Sequence, residues 1–419
     1  MERNQKILTG GRLRGALTPP CSKSYAQRAL AASLMAEGRT TLRNIEFCDD
    51  TLSAMHCIET LGARVHRIDD HTLLVDGGLR PLSSTLDVGE SGLASRLFTP
   101  IAALCQQPIR IEGEGTLLKR PMSLMTDPLR SLGVEVESND GYLPVTVCGP
   151  MQGGEIRIDG SVSSQFVTGL LLALPLTPHE TFLHVDNAVS RPYLDMTIDA
   201  ADRFGVGIEQ RDYREFYIEG DQKYMPIDYS IEGDWSAAAM MLVAGATAGE
   251  VSIDNIEMLS KQADTQIFHA LLRSGATLVD EPRKMTAVKR PLRGFEFDAT
   301  DCPDLFPALA ALAAAADGVS VLRGTSRLEH KECNRAEAIE EEYSKLGIEV
   351  DCSEENIMRI RGGKIRPAHV SSHHDHRMAM SLAVAALRCE GAVVLDDAAC
   401  VAKSYPRFFE DLESIKIHE

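Results

Sequence analysis

The sequence predicts an α/β protein of two similar globular domains, each built from three copies of one repeated unit. Two features that recur in step, together with chain length, predict it. First, a helix that ends in glycine and runs into a strand occurs five times, at Leu61-Gly62, Leu132-Gly133, Phe204-Gly205, Ser274-Gly275 and Leu346-Gly347. These glycines lie 71, 72, 70 and 72 residues apart, and glycine is the residue that closes a helix in the left-handed conformation. Second, six apolar helices begin after a short polar residue, Ser24, Ser91, Ser164, Ser236, Asp304 and Asp375, spaced by 67, 73, 72, 68 and 71. Six such units in 419 residues exceed one core, and no one-sided capping repeat marks a solenoid, so three and three is the expected division.

Within a unit the order reads helix, strand, helix, strand, strand. β-rich segments such as Thr40-Thr41-Leu42 and Val319-Ser320-Val321 follow the apolar helix. A helix as apolar as residues 306–315 should be buried on most sides. The next glycine step falls near residue 418, so the sixth unit is cut short, and its missing strand is expected from residues 6–17. The chain should change domain near Pro19-Pro20 and again near Tyr229-Ser230-Ile231-Glu232. The predicted domains are 21–231 and 232–419, the second completed by 1–20. Two crossings make a hinge.

Composition narrows the function. Apolar residues make up 44% and charged residues 25%, as in an ordinary globular protein, and the net charge of −18 argues against nucleic acid or an anionic membrane as partner. An anionic ligand must therefore be drawn by a local basic pocket. Ten cysteines show no paired or metal-type spacing, which predicts free thiols in a reducing cytosol. The polar start Met1-Glu2-Arg3-Asn4 has no apolar core of a signal peptide, and residues 306–316 are too few to span a bilayer. A cytoplasmic monomer is expected.

The chemistry gathers at the helix starts. Pro19-Pro20-Cys21-Ser22-Lys23-Ser24 opens a helix in which Ser22 or Ser24 can cap and Lys23 and Arg28 add charge to the positive helix end. The second start reads Gly89-Glu90-Ser91-Gly92, with Lys119-Arg120 downstream, and the third reads Ser163-Ser164-Gln165, with Ser190-Arg191-Pro192-Tyr193 downstream. The fifth carries Asp301 and Asp304 before Lys331-Glu332-Cys333-Asn334-Arg335, and the sixth His373-His374-Asp375-His376-Arg377 before Lys403. Cations near several helix N-termini suit a small, multiply charged anion. Asp304 and Glu332, acids in a basic setting, suit general acid–base work.

Taken together and in order, PxSKSxxxR, SSQFxTxLL, SRPYxDMT, EGDWSxAxxxL, KExxR, DHRMAM and Lys403-Ser404-Tyr405-Pro406 resemble the 5-enolpyruvylshikimate-3-phosphate synthase family. The likeness covers residues 13–410 or so. It implies an inside-out α/β barrel of enolpyruvyl transferase type, with three βαβαββ units per domain and domains that close over the substrates. It implies transfer of the enolpyruvyl group of phosphoenolpyruvate to the 5-hydroxyl of shikimate 3-phosphate, with no metal or organic cofactor. The nearest rival within the class is UDP-N-acetylglucosamine enolpyruvyl transferase, disfavoured by Ser163-Ser164-Gln165, by Ser190 with Tyr193, and by Asp375-His376-Arg377.

By resemblance, Lys23 touches both substrates. Ser24, Arg28, Ser163, Ser164, Gln165, Ser190, Tyr193, Asp304 and Lys331 hold shikimate 3-phosphate. Gly92, Arg120, Gln165, Arg335, Arg377 and Lys403 hold phosphoenolpyruvate. Asp304 accepts the 5-hydroxyl proton, and Glu332 protonates the methylene carbon with His376 in support. Read without the family, Lys23 and Arg28 are a solvated pair, Ser163 and Ser164 are plain caps, Asp304 caps a helix over 305–316, and Glu332 partners Arg335 at the surface. His373 and His374 are expected in solvent, with no metal, and Asp234 as a cap. The chain departs from the family pattern at Cys21, Glu90, Leu93, Arg327 and Asn334. Glu90 is expected to repel phosphoenolpyruvate or to pair with Lys119 or Arg120, and Glu90 and Asn334 leave open a relative that only binds anions.

Overall fold

In a computed structural model, which describes residues 5–417, the chain divides into two compact units. One runs from Cys21 to Ile231, and the other joins the residues up to Pro20 to those from Glu232 onward. The first holds helices α1 (Lys23–Met35), α2 (Asp49–Thr60), α3 (Gly92–Ala102), α4 (Ser123–Ser131), α5 (Ser164–Ala173) and α6 (Arg191–Arg203). The second holds α7 (Trp235–Ala248), α8 (Ile267–Ser274), α9 (Phe306–Ala314), α10 (Arg335–Lys345), α11 (His376–Ala386) and α12 (Phe408–Ser414).

Odd-numbered helices are inner and even-numbered ones outer. All of α3, α9 and α11 is buried, as is nearly all of α1, α5 and α7, which is why these segments read as apolar all round instead of striped. Close packing needs small residues. A Cβ on Gly169 of α5 would stand 2.1 Å from the carbonyl oxygen of Arg96 in α3, so only glycine lets those two helices approach. The five repeat glycines all have positive φ, from 83° to 118°, which explains their period.

Each sheet in the first unit pairs one parallel strand and then turns antiparallel. Thr85–Asp87 lies parallel to Ile109–Glu112, followed by Tyr142–Cys148 and Glu135–Asn139. Gly154–Asp159 lies parallel to Thr181–Asp186, followed by Glu215–Ile218 and Glu209–Arg211. In the third sheet the parallel neighbour of Gly38–Arg43 comes from far along the chain, Asp228–Ser230. The second unit does the reverse: Arg12–Leu17 lies parallel to Gly249–Asp254. In each unit, then, one sheet takes its parallel strand from the far end of that unit's own chain, and only the N-terminal case was expected. In the shortened sixth repeat, Lys6–Thr9 pairs antiparallel with Ala392–Asp396, and Lys416–Ile417 instead joins the sheet of Arg12–Leu17. Residue 418 lies outside the described residues.

Among the polar residues expected at the helix starts, the structure selects the caps. Ser22 caps α1 on the Tyr25 amide, Ser163 caps α5 on Gln165, and Asp234 caps α7 on Ala237. Asp304 does not cap. It sits in a 3-10 turn, Pro303–Leu305, and α9 begins after it with no side-chain cap. Nor is His373 simply in solvent: its Nε2 lies 2.6 Å from the buried Glu342 Oε1. Lys345 Nζ lies 2.7 Å from Glu341 and 2.8 Å from Glu342, so this acidic group already carries a cation and gives no reason to place a metal there. All ten cysteines are free thiols. Among the described residues no helix is long and apolar enough to cross a membrane.

Candidate functional site

In the unit Cys21–Ile231 the starts of the three inner helices are tied together by side chains. Ser91, the cap of α3, donates to Gln27 Oε1 of α1 at 3.3 Å. Arg28 of α1 reaches Thr168 of α5 at 3.3 Å and, in α6, Thr197 Oγ1 at 2.9 Å and the Tyr193 carbonyl at 3.1 Å. A further bond joins Arg28 to the Ser24 carbonyl at 2.8 Å. Those four bonds use four of the five guanidinium donors, leaving one for a ligand. Arg28 is 1% exposed, and burial pulls its pKa down to about 10. It stays charged at neutral pH, and no carboxylate among the described residues pairs with it. A dry cation without a counter-ion is a place that an anion would stabilise.

A second basic cluster forms where α3 begins. A Cβ on Gly92 would lie 2.6 Å from Arg120 Nη1, 3.0 Å from Arg96 Nη1 and 3.7 Å from Gln165 Oε1. Gly92, Arg120 and Gln165 are therefore neighbours, and the missing side chain is the space into which Arg120 fits. Arg96 donates to the carbonyls of Gly92 and Pro121 at 2.9 and 3.0 Å and lies over the Phe166 ring. Burial, and after it Arg120, lowers its pKa to about 9. The sequence shows Arg96 one turn after Gly92, yet its role beside Arg120 comes only from packing. If this cluster holds phosphoenolpyruvate, as the resemblance implies, Gly92→Ala is expected to push Arg120 aside and raise KM for that substrate roughly tenfold, about 1.4 kcal/mol of binding, with kcat changed far less. Initial-rate kinetics would check it.

Other expected residues of this unit are placed as follows. Lys23, the first residue of α1, pairs through Nζ with Asp50 Oδ2 at 2.8 Å, a partner that no motif announced. Ser163 and the buried Ser164 stand at the start of α5. Ser190 is buried in the left-handed region at φ 52°, directly before α6, a conformation that costs a non-glycine residue and tends to persist at functional sites. Tyr193 is half-buried in the first turn of that helix. Two departures are absorbed locally: Cys21 Sγ accepts the Glu46 amide at 3.1 Å, and Glu90 Oε1 accepts the Thr116 amide at 2.9 Å.

In the unit completed by Glu232 onward, the inner helix starts carry interleaved charges. Asp304 pairs with Lys331 at 3.1 Å, Arg335 at 2.8 Å and Arg377 at 3.3 Å. Arg335, 1% exposed, also meets Glu332 at 2.8 Å and Asp375 at 2.7 Å. Asp375 caps α11 by accepting the Arg377 amide at 2.8 Å, so one carboxylate fixes both the helix start and the arginine. Burial lowers Lys331 below the usual lysine value, with Asp304 opposing. Burial also works against the charge of Arg377, but Asp304 and Asp264 outweigh it and hold that arginine above its ordinary value. His376 is fully buried at the start of α11, and Lys403 is buried at the end of a 3-10 turn, Ala398–Lys403. Asn334 precedes α10 without a side-chain cap.

Each unit thus presents a different kind of site. One offers the buried guanidiniums of Arg28 and Arg96, held by hydroxyls and carbonyls, and the other offers carboxylates clamped by lysine and arginine. The profile of EPSP synthase (3-phosphoshikimate 1-carboxyvinyltransferase) matches residues 7–412. The chain belongs to the EPSP synthase family. A 3-phosphoshikimate 1-carboxyvinyltransferase of Clostridium perfringens strain 13 is 34% identical over 415 residues, covering 98% of this chain and 97% of the relative. One from Clostridioides difficile strain 630 is 33% identical, covering 96% and 95%. The solved EPSP synthase of Acinetobacter baumannii superposes with a TM-score of 0.84 at 26% identity, over 98% of each chain. The family reading and the α/β fold class drawn from the motifs are borne out by these matches.

Two side chains of the EPSP synthase fold seen here, Asp50 and Asp264, had no signal of function in the sequence. Each lies in a short acidic or polar run that resembles an ordinary helix start, whereas Arg96 closes the second helix-start stretch Gly89 to Arg96. Only their contacts mark the two aspartates.

Proposed function

We propose that this chain transfers the enolpyruvyl group of phosphoenolpyruvate to the 5-hydroxyl of shikimate 3-phosphate, releasing phosphate, as a cytoplasmic monomer that needs no metal or organic cofactor. Membership of the EPSP synthase family across nearly the whole chain carries this reading. The two units contribute different groups to the one reaction. Lys23, Ser24, Arg28, Ser163, Ser164, Gln165, Ser190 and Tyr193 hold shikimate 3-phosphate, assisted by Lys331. Lys23, Gly92, Arg120, Gln165, Arg335, Arg377 and Lys403 hold phosphoenolpyruvate.

The chemistry follows from charge. Phosphoenolpyruvate becomes a good electrophile at C2 once C3 takes a proton. Glu332 supplies that proton, with His376 in support, the 5-oxygen attacks C2, and Asp304 takes the hydroxyl proton. Loss of phosphate from C2 and of a proton from C3 then restores the vinyl group. Arg335, which here rests on Glu332, Asp304 and Asp375, must turn from Glu332 to hold a ligand anion. That turn frees the Glu332 carboxyl from its contact with Arg335. Phosphate release, measured with each substrate omitted in turn, is the test. Release that requires both substrates is expected. Release without shikimate 3-phosphate, or its replacement by UDP-N-acetylglucosamine as acceptor, would overturn the reading.

A further inference from the structure

Asp264 has no part in the roles above, and its surroundings are unusual. It lies in a 3-10 turn, Ala263–Gln266, just before α8 and is 2% exposed. Ser236 of α7 donates its hydroxyl to Oδ2, and among the described residues nothing donates to Oδ1. The cation facing it is Arg377 of α11, whose Nη1 is 3.9 Å from Oδ2, while Nη2 of the same guanidinium is 3.3 Å from Asp304 Oδ2. One arginine therefore serves two carboxylates brought together by different turns. Among the described residues, Asp304 and Asp234, both like charges, and the Cys302 thiol also lie within electrostatic reach of Asp264. Burial above all, with these like charges, pushes its pKa up to about 7, and Arg377 and Ser236 oppose that rise.

We infer that Asp264 is a positioning residue for Arg377 that takes a proton from solvent when Arg377 turns to phosphoenolpyruvate, so that binding of this anion is coupled to protonation of Asp264. The inference rests on the assignment of Arg377 to phosphoenolpyruvate. A carboxylate shut away from water is tolerated beside a cation, and once that cation is shared with a ligand it must either repel the ligand or become neutral. The step adds one proton to one Asp264 oxygen and breaks no bond in the substrate. The sign follows: the anion binds best where Asp264 is protonated, and affinity falls as pH rises through its titration.

The test is KM for phosphoenolpyruvate at saturating shikimate 3-phosphate between pH 7.0 and 8.5, roughly a pH unit or more above the titration of a phosphate group near pH 6. KM is expected to rise roughly tenfold across this range in the parent. In Asp264→Asn, which has the shape of the neutral carboxyl and still accepts from Ser236, it should stay near the parent's low-pH value, with kcat little changed. Ser236→Ala removes a donor to the anion and should move the rise to higher pH. Calorimetry in two buffers of different protonation enthalpy needs no variant: phosphoenolpyruvate added to the parent with shikimate 3-phosphate should draw in protons at pH 7. A parent that turns over with a flat KM or without proton uptake, or an Asp264→Asn enzyme that keeps the rise, overturns this inference and leaves the reaction standing. A parent that releases no phosphate at any pH removes both.

Discussion

Asp304→Asn is expected to lower kcat by roughly 10²- to 10⁴-fold, the range for removing a general base, while affinity for shikimate 3-phosphate changes only a few-fold. The asparagine keeps the shape, so the loss isolates the charge and the proton acceptor. Three basic side chains converge on that carboxylate, Lys331, Arg335 and Arg377, and they fix where it points. Single-turnover rates together with equilibrium binding of shikimate 3-phosphate would separate chemistry from binding. Turnover at the parent rate would remove Asp304 from the reaction.

Arg335→Met should be the most damaging change to stability in the unit that holds α7 to α12. Asp375 is fully buried and Glu332 and Asp304 are largely so, with side-chain exposures of 0%, 11% and 19%. Removing their common cation leaves an uncompensated buried charge, worth about 3–5 kcal/mol. At ~2–4 °C per kcal/mol for a domain of this size, the midpoint of thermal unfolding should fall by about 10 °C. Arg335→Lys should recover part of this, since a single ammonium cannot meet three carboxylates through a planar fork. Calorimetry of the ligand-free protein would check both. An unchanged midpoint in Arg335→Met would mean that the three carboxylates are supported by other groups.

Much of this arrangement is local and therefore readable. A glycine closing a helix and a serine or aspartate opening one act over three or four residues, so their period survives in the string of residues whatever surrounds it. The same locality explains why Ser22 or Ser24, and Ser163 or Ser164, stood as equal candidates: adjacent short polar residues compete for one role, and the structure gives it to Ser22 and Ser163. Asp304 shows the limit. Its place before an apolar helix allows a cap as the plain alternative to a catalytic role, but the 3-10 turn Pro303–Leu305 turns its carboxylate to residues 27 to 73 positions away.

By itself, then, the sequence determined six repeats, their division and the family to which the chain belongs, because each is written in short-range signals or in motifs that stand whole in the chain. Tertiary structure alone decided that Arg28 is a dry cation with no carboxylate partner among the described residues, that Lys23 leans on Asp50, that Gly92 makes room for Arg120, and that Arg377 stands between Asp304 and Asp264. Those facts depend on inner helices packed closely enough to exclude water. The worth of a charge is set by which distant side chains share that dry space, and no short window of residues records it.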